Sequence, residues 1–306
     1  MKPAPFVHHA PRSLDEAVAT LAEVGHDGKV LAGGQSLIPI LNMRLASPAH
    51  LVDINQVAGL GTVTVTDSGV RVGATVRHAE LEHDAGAYAA LPLLRQALVN
   101  VAHPAIRNRG TTVGSIAHAD AAGEMPAILA LTDGVVEVAS ASGRREIGWQ
   151  DLFLGALETS VAADEIVVAA RFGTMPAGTG TAFLERARRH GDYAMAGVGA
   201  AVTVADGVVS RALLSFVSVT DVPLALDVTE AFAGREPAAV DWSAAADLVR
   251  AAIEPEGDIH ATADYRAMLA VELTRLTLAA AAGRSGEGVA PGAGDGLATR
   301  TEGGAA

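Results

Sequence analysis

The 306-residue chain contains no cysteine. This absence excludes disulfide bonds, thiolate-ligated zinc, an iron–sulfur cluster held by this chain alone, and a flavin attached through a cysteinyl bond. Aromatic residues make up only 4% of the sequence, which argues against a binding surface built on aromatic stacking. Basic residues are also scarce, with 22 Lys and Arg against 35 Asp and Glu, and the formal net charge is −13. Because nucleic acids are bound through clustered Lys and Arg, no nucleic acid partner is expected.

Long apolar segments are missing as well. The N-terminal segment from Met1 to His9 lacks the apolar core of a signal peptide. No run reaches the roughly 18–20 apolar residues that are needed to span a bilayer. We therefore expect a cytoplasmic protein without a transmembrane segment, which reaches the inner face of the membrane only as part of a complex.

The first part of the chain has the pattern of a small βαβ lobe, predicted as a first subdomain over residues 1–58. Ser13 is the expected N-cap of a helix, with Glu16 at the capping-box position. Strands are predicted over 29–32 and 51–54, with a helical segment over 37–44 between them. His8 and His9 are expected to lie in a solvated N-terminal segment.

A second subdomain is predicted over residues 59–174. It begins with a hairpin around Asp67–Gly69, and Thr75 is the expected cap of the helix that follows. Helices are expected at 75–82, 91–101 and 124–131, and strands at 63–66, 70–72, 135–138 and 165–172. The Gly- and Pro-rich segment 173–180 is interpreted as a linker.

A C-terminal α+β domain is predicted over residues 175–282, because runs of strands are followed there by runs of helices. Strands at 198–204 and 208–218 flank the turn Asp206–Gly207. Helices are expected at 224–233, 243–253 and 262–282. Residues 283–306 offer little to bury and are predicted to form a disordered tail.

Two glycine-containing segments, Lys29–Pro39 and Arg109–Asp120, share the same features. Each has an apolar or β-branched approach, a bend of small residues, and hydroxyl or amide side chains. Glycine permits positive φ and a close approach of the backbone to a ligand, and consecutive N–H groups then form an anion-binding concavity. Each segment alone is equally consistent with an ordinary turn. Since the chain has neither a P-loop nor a complete dinucleotide fingerprint, the two together indicate a diphosphate held between two lobes.

Other constellations are weaker. His118 and Asp120 form a pair that lacks the third and fourth ligands of a zinc site, so no metal is expected and a hydrogen-bonding role in a loop is favoured. Asp192 and Tyr193 enter a strand pattern, where a cap and a core aromatic are the simplest interpretation. The sequence shows no persuasive acid–base or metal constellation.

Five segments in combination resemble one family. The chain is similar over residues 1–282 to the medium, FAD-binding subunit of molybdenum hydroxylases, the group of aerobic carbon monoxide dehydrogenase and the xanthine dehydrogenase family. The matching segments are Ala32-Gly-Gly-Gln-Ser36, Leu51-Val-Asp-Ile-Asn55, Ile106-Arg-Asn-Arg-Gly-Thr111, Gly114-Ser-Ile-Ala-His-Ala-Asp120 and Arg188-Arg-His-Gly-Asp-Tyr-Ala194. The resemblance implies a two-subdomain FAD-binding domain of the vanillyl-alcohol-oxidase (PCMH) type, followed by a C-terminal α+β domain with an antiparallel sheet and helices.

The resemblance also implies the residues that hold FAD. Those expected to cradle its diphosphate are Ala32, Gly33, Gly34, Gln35, Ser36, Thr111, Thr112, Val113, Gly114 and Ser115. Those expected to flank or contact the rest of the cofactor are Lys29, Val30, Leu31, Leu37, Val101, His118, Asp120 and Glu124. Tyr193 is expected to pack near the isoalloxazine ring and to gate access to it. No catalytic side chain is implied, because the flavin carries the chemistry.

Three residues depart from the family pattern. Val113 stands where the second segment usually has the first of two adjacent glycines, so its backbone is expected to bend without positive φ or to differ locally. Gln35 stands where the best-characterised carbon monoxide enzymes have histidine, and Ala121 stands where a proline often follows the aspartate. The substrate of the complex stays open between carbon monoxide, an N-heterocycle and an aldehyde.

The expected function is therefore that of a noncovalent FAD protein that transfers electrons within a molybdenum hydroxylase. A large molybdopterin-binding subunit and a small [2Fe–2S] subunit are the expected partners, assembled as a dimer of heterotrimers, and the acceptor is a quinone, NAD⁺ or oxygen. Two alternatives remain: a free-standing flavin oxidase of the same fold, and a non-enzymatic nucleotide-binding assembly factor.

Overall fold

The computed structural model describes residues 2–285 of the chain. Its N-terminal part is a three-stranded parallel sheet in the order β1–β3–β2. The elements are β1 Val7–His9, α1 Leu14–Val24, β2 Gly28–Leu31, α2 Leu37–Met43 and β3 His50–Asp53. The predicted βαβ pattern is confirmed, and β2 and α2 lie on either side of the first glycine segment.

Helix α1 begins as its sequence predicts. The Ser13 hydroxyl accepts a hydrogen bond from the Glu16 N–H at 3.2 Å. The Glu16 carboxylate in turn accepts from the N–H of Arg12, one residue earlier than in a standard capping box, at 2.8 Å. Val18 and Leu21 are buried against the sheet, so the cap and the apolar face act together to fix this helix.

The N-terminal segment is exposed at His8, as expected of a solvated segment, but it also forms a strand that was not predicted. His8 and His9 lie in β1, which pairs in parallel with β3. The Nε2 atom of His8 is 3.2 Å from Asp53 Oδ2, and the Nε2 atom of His9 is 3.0 Å from His50 Nδ1. A strand of three residues, Val7-His8-His9, is too short for its alternation to be recognised in the sequence, and it is defined by its pairing with β3.

The middle of the chain is built on a five-stranded antiparallel sheet in the order β4–β5–β10–β6–β7, with a small β8–β9 hairpin beside it. Its strands are β4 Val63–Thr66, β5 Gly69–Gly73, β6 Val135–Ser140, β7 Gly143–Gly148, β8 Phe153–Gly155, β9 Glu158–Thr159 and β10 Ile166–Phe172. Its helices are α3 His78–His83, α4 Ala85–Ala90, α5 Leu93–Leu98, α6 Pro104–Arg107, α7 Thr112–His118, α8 Glu124–Leu131 and α9 Trp149–Leu152.

The helix expected to start at Thr75 begins later. The Thr75 N–H donates to the carbonyl of Leu60 at 3.0 Å, which keeps Thr75 at the end of the hairpin. Arg77 is the N-cap instead, and its own N–H donates to the Glu80 carboxylate at 2.8 Å. The helix predicted over 91–101 is likewise shorter, because α5 covers only Leu93–Leu98.

The C-terminal part is a four-stranded antiparallel sheet in the order β11–β12–β13–β14, packed against a long helix. Its elements are β11 Thr179–Arg186, β12 Ala196–Ala205, β13 Val208–Val217, β14 Ala225–Asp227, α10 Ala246–Ala252 and α11 Ala263–Arg284. The predicted β12–β13 hairpin and the long helix are confirmed. Gly180 allows close packing, since a Cβ there would lie 2.0 Å from the carbonyl oxygen of Ala281 in α11.

Two C-terminal predictions need correction. The helix predicted over 224–233 is instead strand β14, which pairs with β13, followed by a single 3-10 turn. Helix α11 runs through Arg284, two residues into the predicted tail, and the tail residues from 286 onward lie outside the described residues. The boundaries predicted near residues 58, 174 and 282 stay predictions, while the α+β class is confirmed by helices combined with antiparallel sheets. Between residues 2 and 285, no helix combines the length and apolarity required to cross a bilayer.

Truncating the buried side chain of Leu278 in α11 tests this packing. Leu278 is fully buried in the C-terminal core, so Leu278→Ala is expected to lower the free energy of unfolding by about 2–5 kcal/mol. Met268, on the same helix, is 56% exposed, and Met268→Ala is expected to change the free energy of unfolding by less than about 0.5 kcal/mol. Urea unfolding of both variants makes the comparison, and equal losses would contradict the described orientation of α11.

Candidate functional site

The two glycine segments meet through their backbones. A Cβ on Gly33 would lie 2.6 Å from the carbonyl oxygen of Arg109 and 2.8 Å from the Cα of Gly110. Any side chain at position 33 would therefore push the two segments apart. Gly34 adopts φ +73°, a left-handed conformation that favours glycine. The segments that the sequence singled out are thus in direct contact.

The first segment presents unpaired amides. Within residues 2–285, the N–H groups of Gly33, Gly34, Gln35 and Ser36 donate to no protein acceptor. The Gln35 side chain turns back on its own loop, where its Nε2 donates to the Gly33 carbonyl at 3.1 Å. Consecutive free N–H groups in a loop of this kind form a concavity that suits an anion such as a phosphate.

The second segment is a helix start rather than the glycine loop that was expected. Thr111 is the N-cap of α7, and its hydroxyl accepts from the Gly114 N–H at 3.1 Å. Val113 is a buried helical residue, so its position requires no positive φ. The first amides of the helix, on Thr112 and Val113, have no intrahelical acceptor.

A polar clamp, formed by Asn55 and Arg77, holds the two segments together. The Asn55 Nδ2 donates to the Ala32 carbonyl at 2.8 Å. The Arg77 guanidinium donates to Asn55 Oδ1 at 2.6 Å and to the Arg109 carbonyl at 2.7 Å. Burial and the nearby charge of Arg109 lower the pKa of Arg77. Sequence reasoning missed Arg77, because a lone arginine before a helix carries no pattern.

A cavity of about 380 Å³ lies beside this junction. Its lining includes Ala32, Gly33, Gly34, Asn42, Asp53 and Arg109. The volume is in the range of small-molecule sites, and the lining is mostly polar, as a charged ligand requires. Loop amides that lack acceptors and an arginine among the lining residues therefore fit a phosphorylated ligand.

The remaining predicted site residues lie around the junction in different settings. Lys29, Val30 and Leu31 belong to β2, which leads into the first segment, and Leu37 is the first residue of α2. Val101 is buried, and its carbonyl accepts a hydrogen bond from Arg107 at 3.1 Å. Arg107 is itself buried and paired with Glu82 at 2.7 Å, which fixes the chain before α6.

A second group of residues, Asp120, Glu124 and Tyr193, lies near Glu185 of β11. Burial raises the pKa of Glu124 to about 7, with a further contribution from the charge of Asp120. Burial and the charge of Glu124 raise the pKa of Glu185 to about 8, and one Glu185 oxygen is buried without a partner. Glu124 and Glu185 therefore retain protons near neutral pH. Glu185 was missed, since nothing in the sequence brings β11 to α8.

Tyr193 and His118 have the surroundings of site residues, not of core residues. The Tyr193 side chain is 69% exposed, and partial burial with the charges of Asp120 and Glu124 raises its pKa. The interpretation of Tyr193 as a core aromatic is therefore wrong. His118 ends α7 and is half-buried. Over residues 2–285, no group of three or more potential ligands is arranged to hold a metal ion.

Comparison with known proteins gives matches along most of the chain. Residues 4–172 match the family described as the FAD binding domain in molybdopterin dehydrogenase, and residues 181–281 match the CO dehydrogenase flavoprotein C-terminal domain.

The similarity to curated relatives extends over nearly the full length of both this chain and the relative. The 6-hydroxypseudooxynicotine dehydrogenase complex subunit alpha of Paenarthrobacter nicotinovorans is 37% identical, over 93% of this chain and 97% of that protein. The nicotine 6-hydroxylase medium subunit of the same organism is 38% identical, over 92% of this chain and 99% of that protein. Among solved structures, a carbon monoxide dehydrogenase from Hydrogenophaga pseudoflava lacking the Mo-pyranopterin moiety superposes with a TM-score of 0.88 at 35% identity, covering 93% of this chain and 100% of that one.

Replacing Arg77 tests the clamp. Arg77→Met removes two charge-assisted hydrogen bonds and is expected to lower the free energy of unfolding by about 1.5–3 kcal/mol. Amide hydrogen exchange should accelerate in residues 32–36 and 109–112. The matched control is Arg71→Met, which breaks the half-exposed Arg71–Glu137 pair on the central sheet and leaves the glycine segments untouched. Unchanged exchange in both segments of the Arg77 variant would show that the clamp does not hold them.

The buried His78 predicts a pH dependence of stability. Its Nδ1 lies 3.2 Å from the Thr112 hydroxyl, and burial lowers its pKa from 6.5 to about 4. Between these values the unfolded chain binds a proton that the folded chain does not. The contribution of neutral His78 to the free energy of unfolding is therefore fully present above pH 6.5 and is lost as the pH falls through about 4. The loss amounts to roughly 3 kcal/mol at most.

Urea unfolding across this pH range provides the measurement. His78→Gln is expected to flatten the acid-side loss, whereas the control His260→Gln, at an exposed position, should leave it unchanged. An acid-side slope that is identical in wild type and His78→Gln would contradict the assignment.

Proposed function

The chain belongs to the FAD-binding family of molybdopterin dehydrogenases, and from this membership we propose that it is the electron-output subunit of a molybdenum hydroxylase complex. It is an oxidoreductase flavoprotein subunit with noncovalently bound FAD. In the proposed complex it receives electrons from [2Fe–2S] clusters of a partner and delivers them to a quinone, NAD⁺ or oxygen.

The observation that carries this proposal is the junction of the two glycine segments. Backbone contact at Gly33 joins the two segments, and the cavity beside this junction is lined by Gly33, Gly34 and Gln35, whose amides have no protein acceptor within residues 2–285, and by Arg109. Free amides and a cation at one cavity are what a bound diphosphate requires. The residues that would hold it are Ala32, Gly33, Gly34, Gln35, Ser36, Thr111, Thr112, Val113, Gly114 and Ser115. Bound FAD supplies two-electron chemistry that can exchange with one-electron donors.

Other residues would hold and shield the rest of the cofactor. Lys29, Val30, Leu31 and Leu37 flank it, Val101 lies against it, and His118, Asp120 and Glu124 belong to the same site. The exposed Tyr193 gates access to the flavin ring. Since Glu124 and Glu185 retain protons near neutral pH, they place less negative charge beside an already anionic cofactor.

The absence of cysteine determines which cofactors this chain can hold and which must lie on other subunits. A chain without cysteine cannot ligate iron–sulfur clusters, so the electrons must arrive from another polypeptide. The relatives are named as subunits of complexes. We propose a large molybdopterin-binding subunit and a small [2Fe–2S] subunit as partners, assembled as a dimer of heterotrimers in the cytoplasm, where the complex can meet the inner face of the membrane.

The substrate that we favour for the complex is an N-heterocycle. Two relatives with 37% and 38% identity carry names built on nicotine and a nicotine derivative. Carbon monoxide and an aldehyde are the alternatives. Because the substrate pocket belongs to the molybdenum subunit, turnover of the co-expressed complex on each class decides between them.

Co-expression with the neighbouring reading frames tests the proposal as a whole. A yellow complex of three different polypeptides that contains molybdenum and iron is expected. A yellow single chain that turns over alone would instead establish a free-standing flavin oxidase. A colourless chain would point to a nucleotide-binding assembly factor.

A single methyl group at the junction tests the cofactor site. Gly33→Ala places a Cβ against the backbone of Arg109 and Gly110, and it is expected to reduce FAD occupancy at least tenfold while the fold is retained. Gly283→Ala is the control, because a Cβ there meets no atom within 4 Å. Flavin absorbance per protein gives occupancy, and circular dichroism monitors folding. Full occupancy in folded Gly33→Ala would contradict the proposed site.

A further inference from the structure

We propose that Arg109 supplies the positive charge that pairs with the diphosphate of the cofactor. The inference rests on the proposed function and extends it, because Arg109 has been assigned no role among the FAD-contacting residues. Through the charge of Arg109, this chain would distinguish a diphosphate from an uncharged nucleoside. Three features of the structure carry it: the fixed backbone of Arg109, its free guanidinium, and the charge balance of the cavity.

The backbone of Arg109 is held at the point where the two glycine segments meet. Its carbonyl oxygen accepts from the Arg77 guanidinium at 2.7 Å. The same oxygen lies 2.6 Å from the position of a Cβ on Gly33. These contacts fix the origin of the Arg109 side chain beside the unpaired amides. Arg109 is solvent-exposed and is one of the residues that line the cavity, together with Gly33 and Gly34.

The guanidinium of Arg109 is the one left free among three neighbouring arginines. Arg107 is buried and paired with Glu82, and Arg77 is engaged by Asn55 and by the Arg109 carbonyl. Within the described part of the chain, the Arg109 side chain makes no hydrogen bond and no ion pair. An arginine presents five N–H donors in a planar fork that matches phosphate oxygens two at a time.

The charge balance of the cavity also favours an anion. Asp53 is the carboxylate in the lining, and both of its oxygens are engaged. One accepts from the N–H and the side-chain amide of Asn55, at 3.0 and 2.6 Å, and the other contacts His8. Asp53 therefore makes no hydrogen bond or ion pair with Arg109. In a chain with a formal charge of −13, a free cation in this position offsets repulsion of a diphosphate.

Ligand binding to the purified apoprotein tests the proposal, with ADP and adenosine as probes alongside FAD. Arg109→Met is expected to weaken binding of FAD and ADP by roughly ten- to hundredfold and to leave adenosine binding unchanged. Arg109→Lys keeps the charge and is expected to recover most of the ADP affinity. The control is Arg211→Met, which removes the same charge from an exposed position on β13.

The outcomes separate this inference from the proposed function. If wild-type apoprotein binds no FAD, the proposed function fails. If FAD binds and Arg109→Met matches Arg211→Met in ADP affinity, Arg109 is not the charge partner. An equal loss of ADP and adenosine affinity would also overturn the inference, because it would mean that Arg109 shapes the cavity without recognising charge.

Discussion

The candidate site depends on one packing constraint, the backbone contact between Gly33 and residues 109–111. No Cβ fits between them, so the two segments approach more closely than side chains would allow. This closeness lets the amides after β2 and those at the start of α7 face one ligand. The hydrogen bonds of Asn55 and Arg77 then hold the two segments at that separation. The contact creates the cradle, and the clamp preserves it.

Much of this arrangement could be predicted from local signals. Ser13, the Asp206–Gly207 turn and the long helical pattern near the C-terminus each carry their own structural information, and the corresponding elements are present. The parts that could not be predicted depend on distant partners. Residues 225–227 form a strand because β13 offers them an edge, and Thr75 lies in a turn before α3 because the Leu60 carbonyl accepts its N–H. Arg77 and Glu185 acquire their roles only when the fold brings them to Arg109 and Glu124.

Charge is distributed unevenly over the site of an acidic protein. Near the cavity, Arg77 and Arg109 are cations, while Asp53 is satisfied by its own neighbours. Around α8, by contrast, burial raises the pKa of Glu124 and of Glu185, and the charges of Asp120 and Glu124 respectively add to these increases. Carboxyl groups that keep their protons add little negative charge to the surroundings of the cofactor. Near the cavity, Arg77 and Arg109 supply the positive charge with which an acidic chain can hold an anionic ligand.

The two departures from the family pattern in the glycine segments have structural explanations within this chain. Val113 occupies a buried helical position, where the Thr111 cap makes the turn and a second glycine is unnecessary. Gln35 donates to the Gly33 carbonyl, so its side chain acts on the conformation of its own loop. Because Gln35 acts on the conformation of this loop, its identity does not indicate which substrate another subunit oxidises. The absence of histidine at position 35 therefore carries no weight against carbon monoxide, and the preference for an N-heterocycle rests on the relatives alone.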